Sequence, residues 1–305
     1  MNDNEKKVQI YPAKIRIVPN CKLVKITGNL SEQSFSRRLS GKSAGIIEKK
    51  KTKKRDELVS TFTIANVEGY DNTDPLKFFD YSVLSVCISE IEEGNICTTP
   101  AIILRGLTGK TKGIVGGTAN GAVNPDQRAA ILNSVTKLMS TVITVNNSAV
   151  NKELGYNDGK EEIVTDTILP CRFITEKING QIVDDTIYFD RQSPLFKIAD
   201  QRNQVIRYDT ELLDVPNQNN TPLVITLKNY VILRIMEIKN HKMTPTLTLD
   251  DIFKKARITD AAKSTKAHAR EYIDQFFKHL QSKKFIKSFE WTKKGTKFHS
   301  IKLTF

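Results

Sequence analysis

The chain has few cysteines and histidines, and it lacks the clusters in which these residues bind metals or form disulfides. Four cysteines and four histidines are spread over 305 residues without paired spacing. Structural zinc sites need such residues in closely spaced pairs, so we expect no metal site. Scattered cysteines are typical of proteins from a reducing compartment, and we therefore expect a cytoplasmic location.

Long apolar runs are also absent. No stretch approaches the roughly 18 apolar residues that cross a bilayer. The chain starts with the polar sequence MNDNEKK, which has no apolar signal core behind it. Hydrophobic residues make up 39% of the 305 positions, enough for the cores of two ordinary domains. We expect a soluble protein that does not enter a membrane.

Residue combinations that perform catalysis are missing as well. Gly109-Lys110-Thr111 has the ending of a phosphate-binding loop, but such a loop needs glycine at position 104, which is Leu104. No two histidines flank a single residue, as they do in the metal site of rolling-circle nicking enzymes. The carboxylate pairs lie in acidic or turn-rich segments typical of solvated surface. We therefore expect a binding protein with no enzymatic activity, no catalytic residues and no cofactor.

Basic residues, in contrast, are abundant and unevenly placed. Residues 221–305 hold 18 Lys and Arg against 7 Asp and Glu, a net charge of +11 within a total of +13. Residues 1–57 have 15 basic and 6 acidic side chains, whereas residues 58–220 have 14 and 21. Two basic flanks around an acidic middle indicate a polyanionic partner, because phosphate neutralisation releases counterions.

The first 57 residues are predicted to form a basic N-terminal arm with short strands. The segments VQIYPAKIRIV and KLVKITGNL alternate apolar and polar residues, which is typical of strands. The following SRRLSGKSAGIIEKKKTKKRDE is rich in Ser, Gly and Lys, and we expect it to be flexible.

Residues 58–215 are predicted to form a first winged-helix domain. A helical period starts near Pro75 and ends at Gly94-Asn95, and Thr98-Thr99-Pro100 and Asn124-Pro125 are start signals of two further helices. Residues 106–121 are rich in glycine and predict a long loop. A hairpin is expected around Asn179-Gly180, the strongest short turn signal in the chain.

Residues 216–305 repeat this order and predict a second winged-helix domain. Four pairs of positions match at offsets of about 145 to 149 residues, which indicates an internal duplication. They are Pro75-Leu76 with Pro222-Leu223, Tyr81 with Tyr230, Glu90-Ile91 with Glu237-Ile238, and Thr99-Pro100 with Thr244-Pro245. The fold class is thus α+β with two tandem winged-helix domains. The segment DVPNQNNTP is expected to link them, and each half to fold on its own.

The third helix of the second domain, near residues 264–283, carries the candidate DNA-reading face. Its predicted buried stripe is Ala269, Ile273, Phe276, Phe277 and Leu280. The remaining positions, facing outward or at the N-terminal end, are Lys263, Ser264, Lys266, Ala267, Arg270, Asp274 and Lys278. Small residues allow close approach to a major groove, and arginine can grip guanine with two hydrogen bonds.

The hairpin after this helix has a basic tip. Lys293, Lys294 and Lys297 surround Gly295 there, and a wing tip of this charge is expected to contact the phosphate backbone or the minor groove. The first domain offers only Arg128 and Lys137 on its third helix, so weaker DNA contact is expected from it.

Two segments carry a family resemblance: DYSVLSVCISEIEEGNICTTPAIILRGLTGK and TPLVITLKNYVILRIMEIKNHKMTPTLTLDDIF. Together with the tandem architecture, they resemble the iteron-binding replication initiators of plasmids and mobile elements in low-GC Gram-positive bacteria. The resemblance covers residues 73–305. It implies that the C-terminal domain reads double-stranded origin repeats through Lys263, Ser264, Lys266, Ala267 and Arg270. It also implies dimerisation or backbone contact by the first domain, and recruitment of a host helicase or helicase loader.

Two alternatives share many of these features. A transcriptional regulator of a mobile element would use the same winged helices on an operator, and flanking direct repeats or a palindrome near the gene would distinguish the two. A nuclease or recombinase would instead show metal-dependent cleavage.

Overall fold

The structure is a computed structural model that describes residues 23–27, 60–64, 76–110, 123–146, 163–178, 181–201, 205–241 and 243–305. Most of the predicted basic arm lies outside these residues. So do residues 111–121 of the glycine-rich segment and the Asn179-Gly180 turn.

Most of the helices within the described residues begin close to the predicted start signals. They are α1 (Phe78–Glu92), α2 (Pro100–Thr108), α3 (Pro125–Ser140), α4 (Pro194–Gln201), α5 (Pro222–His241), α6 (Leu249–Lys255) and α7 (Lys263–Ser282). A short 3-10 helix, Thr210–Leu213, precedes the segment between the two units.

The strands form small antiparallel sheets. They are β1 (Leu23–Thr27), β2 (Ser60–Ile64), β3 (Cys97–Thr98), β4 (Thr141–Asn146), β5 (Ile163–Thr167), β6 (Cys171–Ile178), β7 (Gln181–Phe189), β8 (Val205–Asp209), β9 (Thr246–Thr248), β10 (Ser288–Lys294) and β11 (Lys297–Thr304). The sheets have the orders β1-β8, β2-β4-β5, β3-β7-β6 and β9-β11-β10. The predicted α+β class is confirmed.

The same order of elements occurs twice. The first unit runs α1, β3, α2, α3, β6, β7, and the second runs α5, β9, α6, α7, β10, β11. In both units the short strand pairs with the second strand of the hairpin, as Cys97 does with Tyr188 and Leu247 with Ile301. The first unit differs by the insertion of β4 and β5 between α3 and β6. The predicted repeat is therefore present in the order of helices and strands.

Side-chain caps explain where several helices begin. Thr99 Oγ1 accepts a hydrogen bond from the Ile102 backbone N–H at 3.4 Å, and Asn124 Oδ1 accepts one from Asp126 at 2.8 Å. In the second unit the cap of the corresponding helix is Thr248, which accepts from the Asp251 N–H at 3.2 Å. Thr244-Pro245 lies before β9 instead, so pairing it with Thr99-Pro100 was wrong. Thr99 directly follows β3 and Thr248 is the last residue of β9, and because both cap the next helix they correspond to each other.

One hydrophobic core runs through both units. Of the 15 residues of α1, 12 are buried, and residues 224–233 of α5 are buried without interruption. The two helices meet where the Phe78 ring stands edge-on to the Tyr230 ring, with centroids 5.3 Å apart. A helix buried on every side needs neighbours all round, so each unit completes the burial of the other.

The segment DVPNQNNTP is packed rather than free. Val215, Gln218 and Asn220 in it are buried. Gln218 Nε2 donates to the Tyr272 carbonyl of α7 at 3.3 Å, and Gln127 Nε2 of α3 donates to the Asn220 carbonyl at 2.6 Å. These bonds hold the segment against both units. The shared core argues against the expectation that each half folds on its own, because a cut here would expose apolar surface on both sides.

Lys228 of α5 carries a buried amino group at this junction, with 2% of the residue's surface exposed. Its Nζ donates to the Leu213 carbonyl at 2.8 Å and to Asn220 Oδ1 at 2.9 Å. The pKa of Lys228 is lowered from 10.5 to about 7, mainly by burial and to a smaller extent by the nearby charge of Lys110, against a smaller opposing effect of Asp214.

This pKa predicts a pH-dependent stability. Between pH 7 and about 8.5 the unfolded chain binds a proton at Lys228 that the folded chain does not, so Lys228 makes the free energy of unfolding rise with pH, by up to about 1.4 kcal/mol per pH unit. Above this range the buried thiols of Cys87 and Cys171, whose pKa values are raised by burial, oppose the rise because they ionise only in the unfolded chain. Urea unfolding followed by circular dichroism across this range measures the rise. Lys228→Met should remove it, whereas the exposed control Lys254→Met should keep it. A rise of equal size in the Lys228→Met protein would contradict the assignment.

Candidate nucleic-acid interface

Helix α7 is fixed to the second unit by one apolar face. Its buried residues include the whole predicted stripe, which is thereby confirmed: Ala269, Ile273, Phe276, Phe277 and Leu280. The Phe277 ring stacks on Phe289 of β10 at 5.2 Å, so the helix also packs on the hairpin. Because the stripe is anchored on this side, the opposite face of the helix points away from the core.

The outward face at the N-terminal end of α7 is small and basic. Lys263 and Ser264 are exposed, and Lys266, Ala267 and Arg270 are half-buried. Ala262 precedes the helix without a side-chain cap, and the first turn contains no acidic residue. The positive end of the helix is therefore not neutralised locally, which favours anions there. Within the described part of the chain, no carboxylate pairs with Lys266 or Arg270.

The hairpin places more positive charge next to this helix. β10 and β11 pair through Lys293 with Phe298 and Lys294 with Lys297, and Gly295 takes a left-handed φ of 65° in the turn. Lys293 and Lys294 are exposed at the tip. Glycine adopts this φ without steric cost, so the turn can be tight. A tight turn keeps Lys293 and Lys294 close to each other at the hairpin tip.

Helix and hairpin are joined by a polar contact that the sequence did not indicate. Trp291 Nε1 of β10 donates to Asp274 Oδ1 of α7 at 2.9 Å, and Lys278 Nζ lies 2.8 Å from Asp274 Oδ2. Burial alone would raise the pKa of Asp274, but these two partners hold it below its ordinary value. Asp274 is thus a bridge to the hairpin, and part of the charge of Lys278 is compensated, although 69% of the Lys278 side chain is exposed.

An aromatic side chain lies between two of the predicted DNA-binding cations. Phe298 of β11 is 39% exposed. The Arg270 Cζ atom is 5.4 Å from the centre of its ring, and the Lys293 Nζ atom is 5.0 Å from it. Sequence patterns missed this contact because a bulge between Thr292 and Lys293 shifts the strand register. The structure therefore brings Arg270 and Lys293 to one site.

The first unit does not present its two predicted DNA contacts in the same way. Arg128 of α3 forms an ion pair with the buried Asp185 of β7, which also accepts from Thr175 Oγ1 at 2.9 Å. Arg128 thus joins α3 to its hairpin, and 34% of its side chain remains exposed. Lys137 is buried, with 7% of its surface exposed, and its charge lies near Asp80. The DNA contact predicted for Lys137 is wrong for this structure, because the side chain lies inside the core.

Gly109 has a structural role in place of phosphate binding. It ends α2 with a left-handed φ of 70°, and its N–H donates to the Arg105 carbonyl at 2.7 Å. A Cβ atom at this position would lie so close to the backbone atoms of Thr210 and Asp214 that a side chain does not fit. Gly109 is therefore a contact point between α2 and the 3-10 helix.

Among the described residues, no group of three or more His, Cys, Asp or Glu side chains is arranged to hold a metal ion. Cys87, Cys97 and Cys171 are buried free thiols. None of the described helices is long and apolar enough to cross a membrane.

Comparisons with known proteins gave a distant structural likeness. No protein-family model and no curated protein sequence matches the chain. A selenomethionine crystal structure of domains 2 and 3 of RctB aligns at 12% identity with a TM-score of 0.43, covering 91% of this chain and 96% of that chain. A second crystal structure of RctB domains 2–3 aligns at 12% identity with a TM-score of 0.41, covering 90% and 96%. TM-scores this low do not establish a shared fold.

Proposed function

We propose that this protein binds double-stranded DNA sequence-specifically through the outward face of α7 and the β10-β11 hairpin. The observation that carries the proposal is the continuity of positive charge from Lys263, Lys266 and Arg270 to the hairpin tip, on a helix whose opposite face is anchored in the core. A helix of this kind fits the major groove, and a basic hairpin beside it reaches the adjacent phosphates.

We further propose that both units are winged-helix domains. A helix, a short strand, two helices and a hairpin, with the short strand paired to the second hairpin strand, support this interpretation in each. In this arrangement α3 and α7 are the third helices and β6-β7 and β10-β11 the wings. Of these two helices, only α7 combines small residues with basic residues that pair with no carboxylate of the described residues, namely Lys266 and Arg270. The second domain therefore reads the DNA sequence.

We also propose that the protein initiates replication of a plasmid or mobile element by binding repeated origin sites. The sequence resemblance of residues 73–305 to iteron-binding initiators supports this role. The acidic middle of the chain, with 14 basic and 21 acidic residues in 58–220, suits protein contact better than DNA contact. The first domain then serves dimerisation and recruitment of a host helicase or its loader. Energy from binding bent DNA offsets the few kcal/mol needed to unstack an adjacent AT-rich segment.

The distinction between helix and hairpin provides a test with the full chain. Lys266→Ala and Arg270→Ala should each cost about 1 to 3 kcal/mol on the cognate duplex and relax base preference. Lys293→Ala and Lys294→Ala should weaken cognate and scrambled duplexes alike, because the hairpin tip contacts phosphates. A site selected from random duplexes, followed by competition titrations with scrambled DNA, measures both quantities.

Lys197→Ala, at an exposed position of α4, is the matched control. It should change neither the affinity for the cognate duplex nor the preference over scrambled DNA. Equal losses on cognate and scrambled DNA for all four variants would contradict the assigned roles. Selection of tandem direct repeats supports the initiator, whereas selection of a single palindrome supports an operator-binding regulator.

A further inference from the structure

Phe298 occupies an unusual position for an aromatic residue near the tip of a hairpin. Its ring is 39% exposed, and the cationic groups of Arg270 and Lys293 both lie within 5.4 Å of its centre. One cation comes from helix α7 and the other from the opposite strand of the hairpin. Two like charges converge on one ring because the electron-rich face of an aromatic attracts each of them.

The ring is itself held in place by a neighbour. Trp291 meets Phe298 edge-on, with ring centroids 5.5 Å apart and an interplanar angle of 67°. The indole N–H of Trp291 donates to Asp274 at 2.9 Å. Asp274 lies one turn beyond Arg270 on α7. The contacts therefore form a closed chain, in which Asp274 bonds to Trp291, Trp291 packs on Phe298, and Phe298 contacts Arg270. Phe298 therefore has a defined position relative to Arg270.

A ring is a suitable support for a DNA-reading arginine. A carboxylate partner would neutralise the guanidinium and occupy its N–H donors, as Asp185 does for Arg128. An aromatic face restrains the guanidinium while leaving its charge and its N–H donors available for a base edge. Restraint before binding reduces the side-chain entropy that binding removes.

We propose that Phe298 is a positioning residue for DNA recognition, which fixes Arg270 and Lys293 in one geometry so that helix and hairpin meet the duplex together. This inference rests on the proposed DNA-binding function of α7. It assigns to Phe298 an effect on specificity that depends on the presence of Arg270.

A double-mutant cycle with the full chain tests this dependence. Phe298→Leu should weaken binding to the selected duplex about fivefold more than binding to scrambled duplex. Phe298→Tyr keeps the aromatic face and should restore affinity to within about twofold of the parent. In an Arg270→Ala background, Phe298→Leu should have no further effect on the ratio of specific to scrambled binding. Met243→Leu, at an exposed apolar position of the same unit, is the control and should behave like the parent.

Two outcomes overturn the inference. An undiminished effect of Phe298→Leu in the Arg270→Ala background means that the ring contacts DNA directly, and parental specificity in Phe298→Leu means that the ring has no role. A parent that binds no duplex, or an Arg270→Ala protein with parental affinity, refutes the proposed function itself. Urea unfolding of each variant separates lost recognition from lost folding.

Discussion

Gly109→Ala is expected to destabilise the protein by about 3 kcal/mol. Gly109 has a φ of 70°, a conformation that alanine adopts only with strain. An added Cβ would lie 2.8 Å from the Asp214 backbone nitrogen and closer still to the Thr210 carbonyl oxygen. Both are backbone atoms and cannot rotate away, so α2 and the 3-10 helix would have to separate. Urea unfolding monitored by circular dichroism measures the loss.

Gly94→Ala provides the matched control. Gly94 has a φ of 86°, but a Cβ built there meets nothing within 4 Å. Gly94→Ala should therefore lower the free energy of unfolding only by the backbone strain, about 1 kcal/mol. Equal losses in the two variants would show that the contact between Gly109 and the 3-10 helix contributes nothing to stability.

The contact matters because it belongs to the junction of the two units. Asn229 of α5 lies beside it, and its side chain donates to the Leu107 carbonyl at 3.2 Å and accepts from the Tyr208 hydroxyl at 3.0 Å. Arg257 donates to the Leu76 carbonyl at 3.2 Å across the same boundary. These bonds orient the second unit on the first, and they link α7, the proposed DNA-reading helix, to the acidic part of the chain through α5.

Local patterns in the sequence predicted the elements that carry the site. The stripe from Ala269 to Leu280 has the spacing of one helix face, and a helix buried on one side must follow it. Thr99 and Asn124 were correct as caps, because a cap depends on only a few neighbouring residues. The basic hairpin tip is likewise a local feature, set by Gly295 and its flanking strands.

Contacts between distant segments could not be predicted in this way. The burial of Lys137 depends on elements that fold over α3, and the pairing of Arg128 with Asp185 joins residues 57 positions apart. DVPNQNNTP has the composition of a free linker, yet its Asn220 carbonyl accepts a hydrogen bond from Gln127 of α3 and its Gln218 amide donates one to α7. Hydrogen-bond partners of this kind are decided by the tertiary arrangement and leave no periodic signal.

DNA binding by the full chain is expected to depend steeply on salt. The second unit has a net charge of +11, and if it contacts six or more phosphates, affinity should fall by about three to five orders of magnitude between 50 and 200 mM salt. The reason is the release of counterions that condense on DNA. Fluorescence anisotropy with labelled duplex at several salt concentrations measures the decline, and a flat response would contradict an electrostatic interface.

The slope of this salt dependence, compared between two charge-matched double variants, tests the central claim most directly. Lys293→Ala with Lys294→Ala removes two exposed charges from the hairpin tip, and Lys197→Ala with Arg207→Ala removes two from exposed positions of the first unit. If α7 and the hairpin form the DNA interface, the first pair should reduce the slope of log affinity against log salt by about 1.8, while the second pair leaves it unchanged. An unchanged slope for the hairpin pair, or an equal reduction for both pairs, would show that the duplex binds elsewhere.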